Sequence, residues 1–124
     1  MSDVELFSQG AAAAPSDARQ SARINVSWRA RVLISATQFI EGRAINVSET
    51  GVGLLLPQAM PVGARLTAAM AVPDSADRSH IIPVTLQIKV VFNVASGDQF
   101  KVGCQIAQRD EAGRKLIRHW INKS

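Results

Sequence analysis

The sequence is poor in the residues that most surface chemistry needs. It has one cysteine, Cys104, so no disulfide can close within the chain. Its two histidines, His80 and His119, are distant from that cysteine and from each other, which excludes the spacing of a structural zinc site. Tyrosine is missing and aromatics make up only 5%, which leaves few stacking platforms for a single-stranded nucleic acid. No apolar run approaches the ~20 residues of a membrane-spanning helix. Asp3 and Glu5 precede the first base, Arg19, so the start lacks the cationic stretch of a secretion signal. No P-loop, dinucleotide fingerprint or paired carboxylates stand at catalytic spacing. These absences predict a cytoplasmic protein that is not an enzyme and has no metal, no cofactor, no membrane insertion and no nucleic-acid partner.

What is present suffices for one domain. The chain has 124 residues, 47% hydrophobic and 19% charged, a composition that buries a core rather than staying disordered. Charge is unevenly placed. Residues 1–18 hold Asp3, Glu5 and Asp17 and no base, so the remainder carries +7 although the whole chain is +4. That excess favours anionic partners. With Gly10, Ala11 to Ala14 and Pro15, residues 1–18 read as a flexible N-terminal tail, and residues 19–124 as the folded domain.

Within the domain the hydrophobic period is two. Ile24, Val26, Trp28, Ala30, Val32 and Ile34 share one phase, opposite Asn25, Ser27, Arg29 and Arg31. Further strands are expected over 38–47, 52–56 and 65–72. A long fifth strand puts Val84, Leu86, Ile88, Val90, Phe92 and Val94 on one face, and a sixth holds Phe100, Val102, Cys104 and Ile106. Gly42 suggests a bulge in the second strand. Ser96-Gly97-Asp98 reads as a hairpin turn. After Asp110, a plausible N-cap, the stripe Leu116, Ile117, Trp120 and Ile121 predicts a terminal helix. Six short strands and a helix point to an all-β antiparallel barrel with one opening covered. Cys104 reads as a core thiol, and both histidines as surface residues.

Two polar clusters stand out. Arg19-Gln20-Ser21-Ala22-Arg23 joins the tail to the first strand, and two guanidiniums four positions apart can close on a phosphate or a purine edge. Gln20 and Ser21 are lesser candidates for the same contacts. The second cluster is Asn46-Val47-Ser48-Glu49-Thr50-Gly51, at the exit of the second strand. Alternation predicts Asn46 and Ser48 on one side and Val47 on the other. Asn46 carries both a donor and an acceptor, Ser48 a hydroxyl, and Gly51 the freedom of a positive φ. Alone, the first cluster reads as a solvated basic junction and the second as an ordinary hairpin turn.

Together the clusters resemble the PilZ domain family, whose signature is Arg-x-x-x-Arg followed by [Asp/Asn]-x-Ser-x-x-Gly. Here the matching residues are Arg19 and Arg23, then Asn46, Ser48 and Gly51. The resemblance runs from about residue 19 to 122 and takes in the strand order, the phrase Lys101-Val102-Gly103-Cys104 and the terminal helix. It implies a six-stranded antiparallel β-barrel of the PilZ split-barrel type with a C-terminal α-helix. It also implies a receptor for cyclic di-GMP, a bacterial second messenger. Arg19 and Arg23 would grip guanine and phosphate, while Asn46, Ser48 and Gly51 meet the ligand from the barrel surface. The chain departs from the family at Asp17 and Ala18, where many members carry bases. That departure leans toward one ligand molecule per site. Asn46 stands where aspartate is more frequent, an accepted variant that removes one negative charge. The resemblance further implies an N-terminal segment that orders on binding and signals to an unidentified downstream protein. A competing reading is a ligand-independent interaction module of type IV pilus or flagellar regulation, although such members usually lack the arginine pair. Barrels that bind nucleic acid or flavin are weaker alternatives.

Overall fold

A computed structural model of the chain describes residues 23–74, 76–109 and 111–123. The six expected strands are β1 (Ile24–Leu33), β2 (Phe39–Val47), β3 (Gly51–Leu56), β4 (Arg65–Pro73), β5 (Ile81–Ser96) and β6 (Gln99–Arg109), followed by helix α1 (Glu111–Lys123). All pairings are antiparallel, and the strands close into a barrel in the order β1-β2-β3-β6-β5-β4. Closure comes from β1 against β4, with Ala30 opposite Met70 and Leu33 opposite Thr67. It pairs the edges of the first and fourth strands over Ala30–Leu33 and Thr67–Met70.

The core follows from the alternation. Trp28, Ala30 and Val32 point inward from β1, Leu54 and Leu56 from β3, and Met70 and Val72 from β4. Val84, Leu86, Ile88 and Val90 join them from β5, and Val102 and Cys104 from β6. Each large apolar side chain withdrawn from water contributes about 1.5–3 kcal/mol, and every strand supplies at least one. No single hairpin could hold its share buried without the others. Burial also pushes the Cys104 thiol up to about 12.

Three details depart from the alternation, each for a physical reason. Ile34 falls beyond the end of β1, in the connection where its N–H bonds the Gln38 carbonyl, and it is exposed. Gly42 is in regular register with Ala30 and is not a bulge. A Cβ there would collide with the Leu55 carbonyl and the Leu56 side chain, so glycine lets β3 lie close. Phe92 and Val94 do not join the inner face of β5. The β5–β6 register slips between Val90 and Phe92, so Val90 faces Cys104 inside while Phe92 lies opposite Gly103 on the outside. One extra residue in a strand reverses the phase of everything after it. The β5–β6 turn has the expected form, with Gly97 at φ 66°.

The antiparallel order gathers the start of β1, the end of β2, the start of β3 and the end of β4 at one end of the barrel, and α1 leaves β6 there. Ile117 of α1 is fully buried in the core. Trp120 donates its indole N–H to the Pro73 carbonyl at 2.8 Å and meets Trp28 edge-on at 5.9 Å between ring centroids. The helix therefore covers this opening, as its apolar stripe predicts. Among the described residues no helix is long and apolar enough to cross a membrane.

Candidate ligand-binding site

The second polar cluster lies where β2 turns into β3. Asn46 closes the outer face of β2, paired with Asn25 of β1 on one side and Gly53 of β3 on the other. Both ladders slip just before it, between Asn25 and Trp28 and between Ala44 and Asn46. The Asn46 amide lies flat across Gly53. A Cβ on residue 53 would stand 2.7 Å from Nδ2 and 2.8 Å from Oδ1. Asn46 Oδ1 is buried and has no hydrogen-bond partner among the described residues. A buried acceptor in that condition costs about 1–3 kcal/mol, an amount that a ligand donating an N–H there would recover.

Ser48 departs from the expected alternation. Val47 and Ser48 are both buried, Ser48 with 2% of its surface exposed, because the strand ends at Val47 and the chain turns inward. The Ser48 hydroxyl oxygen accepts the N–H of Gly51 at 2.9 Å and of Thr50 at 3.2 Å. The Ser48 N–H bonds the Gly51 carbonyl at 2.9 Å. Ser48 is thus the hub of the turn, and its hydroxyl is directed into the loop backbone. Gly51 opens β3 and is buried opposite Gln105. Among the described residues the positive-φ glycines are Gly63 and Gly97, so Gly51 does not use the left-handed freedom expected of it.

Glu49 lies within the same loop, and α1 takes up its charge. The Arg118 guanidinium donates through Nε and Nη2 to the two Glu49 carboxylate oxygens, each at 3.3 Å. An acid beside an anion site would repel its ligand, and this bidentate pair offsets that charge while tying the loop to the helix.

Arg23 is exposed and immediately precedes β1. The next two residues of the strand pair with the motif itself, Ile24 with Val47 and Asn25 with Asn46. Arg23 therefore leaves the barrel beside the Ser48 turn. Arg19, Gln20 and Ser21 lie outside the described residues, as does the expected tail.

Three neighbours of the motif escaped the sequence reading. Gly53 and Gly103 face each other across β3 and β6 on the outer wall. The Asn46 amide covers the first, and the Phe92 ring covers the second. Across the outer wall the order is Asn25, Asn46, Gly53, Gly103, Phe92: two glycines floored by sheet backbone, with an amide on one flank and an aromatic ring on the other. The glycines carry no chemical signal in the sequence, and Phe92 was hidden by the bulge that turns it outward.

The architecture is therefore a closed six-stranded antiparallel barrel with a capping helix and a polar turn between β2 and β3. The sequence model of the PilZ domain matches residues 17–123, and the chain belongs to that family. PilZ domains are non-catalytic receptors for cyclic di-GMP. Among solved structures the fold is similar to the Bacillus subtilis inhibitor of motility MotI/DgrA, with a TM-score of 0.71 and 14% identity over 85% of this chain and 50% of that one. It is also similar to Escherichia coli YcgR in complex with c-di-GMP, with a TM-score of 0.67 and 11% identity over 85% of this chain and 45% of that one. The separate PilZ domain of E. coli YcgR with c-di-GMP gives a TM-score of 0.57 and 15% identity, covering 85% of this chain and 89% of that one. The chain thus spans about half the length of MotI/DgrA and of full YcgR. No curated protein matches its sequence.

Proposed function

We propose that the domain is a cyclic di-GMP receptor whose site lies on the outer wall of the barrel where β1, β2 and β3 meet. The reading is supported by family membership and by one observation above all: the register of β1 on β2, in which Asn25 faces Asn46 and Ile24 faces Val47, so that Arg23, one residue earlier, stands at the edge of the motif turn. In this reading Arg23, with Arg19, closes over the ligand from the N-terminal side. Guanidiniums suit a dianion that carries two purines, because they bond phosphate and guanine edges in pairs and stack on planar rings. Asn46 offers its unpartnered Oδ1 to the N–H edge of guanine. Ser48 acts through the turn it holds, presenting Gly51 and Thr50 at a fixed height, rather than by spending its own hydroxyl on the ligand.

Binding then orders the segment around Arg19 across the wall, and the new surface is read by a downstream protein in control of motility, biofilm or exopolysaccharide. The ordering costs conformational entropy that the charge-assisted bonds must exceed. Titration calorimetry of the full chain with cyclic di-GMP tests the core of this. Saturable heat is expected, with Arg23→Ala weakening binding by roughly tenfold to a hundredfold, the loss of a hydrogen-bonding pair to a charged group. No heat up to near-millimolar ligand, or an unchanged affinity in Arg23→Ala, rejects it.

A further inference from the structure

We infer that the barrel wall beside the motif loop carries a separate anion site, an open groove built by Arg65 and Lys89 that takes a phosphate oxyanion. The groove measures about 430 Å³ and is lined by Thr50, Arg65, Lys89, Gln105, Ile106 and Ala107. Its two bases come from neighbouring strands and lie directly opposite each other, Arg65 of β4 against Lys89 of β5. Like charges in that position repel, so the pair weakens the sheet unless something negative lies between them. Among the described residues no carboxylate does so. The ion pairs Arg31–Glu41 and Arg118–Glu49 involve neither Arg65 nor Lys89.

The chemistry of the walls suits phosphate. Arg65 brings a planar fork that bonds two oxygens at once, and Lys89 a mobile point charge. Lys89 is half-buried and faces Gln105 of β6, whose amide adds a neutral donor. A phosphate held here would gain charge-assisted bonds from two strands and relieve their mutual repulsion in the same step.

The groove continues the candidate site. Thr50, in the middle of the motif loop, forms one wall, and its carbonyl accepts the Ile106 N–H at 2.9 Å. Across the wall the row runs Gly51, Gln105, Lys89, Arg65, one residue from each of β3, β6, β5 and β4. Adjacent strands lie about 4.8 Å apart, so Lys89 stands roughly 10 Å along the surface from Gly51. Two sources could fill the groove: a phosphodiester of the cyclic dinucleotide seated on the motif, or a free polyphosphate. The first rests on the proposed function, and the groove itself does not.

Inorganic pyrophosphate is the probe, titrated at low salt into the isotope-labelled full chain while amide shifts are followed. Saturable shifts are expected at Thr50, Lys89, Gln105 and Ile106, and their apparent affinity should fall at least tenfold in R65Q/K89Q. If the double variant loses its native spectrum, K89Q alone carries the comparison, with a smaller loss of affinity expected. Cyclic di-GMP added to the pyrophosphate-saturated protein separates the sources. Displacement assigns the groove to the ligand's own phosphodiester, and simultaneous binding assigns it to a free polyphosphate. Should cyclic di-GMP bind nowhere, the proposed function falls while the pyrophosphate shifts still decide the groove. Absent or unsaturable shifts, or shifts that persist in the variants with wild-type affinity, overturn the inference.

Discussion

Gly53→Ala separates what the Asn46 amide does for binding from what the close approach at Gly53 does for folding. A methyl group on residue 53 would stand 2.7 Å from Asn46 Nδ2, 2.8 Å from Oδ1 and 3.0 Å from Cγ. All three are shorter than an ordinary van der Waals separation of about 3.5 Å. The colliding group is the end of a side chain on the outer wall, so it can rotate away without moving the sheet. Stability should change little, because the small strain is offset by the entropy that alanine withholds from the unfolded chain, about 0.4–1 kcal/mol. For a domain of this size that keeps the melting temperature within roughly 5 °C of wild type. Binding should suffer far more. If Asn46 makes two hydrogen bonds to guanine at about 0.5–1.5 kcal/mol each, their loss is about 1–3 kcal/mol, or roughly fivefold to a hundredfold in Kd. Calorimetric titration with cyclic di-GMP and a thermal melt on the same sample give both numbers. An affinity within twofold of wild type in a well-folded Gly53→Ala protein would refute the reasoning, since it would show that the Asn46 amide does not touch the ligand.

Gly42→Ala should show the opposite division. The group in the way there is the Leu55 backbone carbonyl, which cannot rotate aside, so a loss of about 2 kcal/mol or more is expected in a denaturant melt. Cys104 makes a pH prediction. Its thiol is raised to about 12 in the folded state by burial, above its value when unfolded. Its contribution to stability is therefore complete below about pH 9 and declines as pH climbs toward 12, by up to about 1.4 kcal/mol per pH unit. Denaturant melts across that range should show a shallower decline in Cys104→Ala, and a thiol reagent should label the native protein far more slowly than the unfolded one.

Most of the barrel was legible because its strands are half-buried and their period is two. β1 from Ile24 to Val32 and β6 from Val102 to Cys104 read straight from the alternation. The terminal helix did too, since Ile117 and Trp120 stand three apart on one stripe. The alternation failed where the backbone departs from a plain ladder. The slip after Val90 turned Phe92 outward, and nothing in the apolar run Val90-Val91-Phe92 marks which residue is the extra one. Gly42 looked like a bulge because a sequence cannot show that another strand's carbonyl needs the space. At the candidate site, the motif marked Asn46 and Ser48 in the chain, but the alternation did not show that Ser48 is buried within its own turn. Ser48 is inside the turn because the strand ends one residue before it. Gly53, Gly103 and Arg118 were invisible for a common reason: each acts through a partner distant in sequence, the first beneath Asn46, the second beneath Phe92 and the third on Glu49.

The edge-on pair of Trp28 and Trp120 has a practical consequence. The chain has two tryptophans and no tyrosine. Both indoles sit on the seam between barrel and helix, so fluorescence excited near the red edge of absorption originates wholly from that seam. Lifting the helix would expose both rings to solvent while the strands stay paired. An emission shift that precedes the loss of far-ultraviolet β signal would thus time the opening of the lid, with no label attached to the protein.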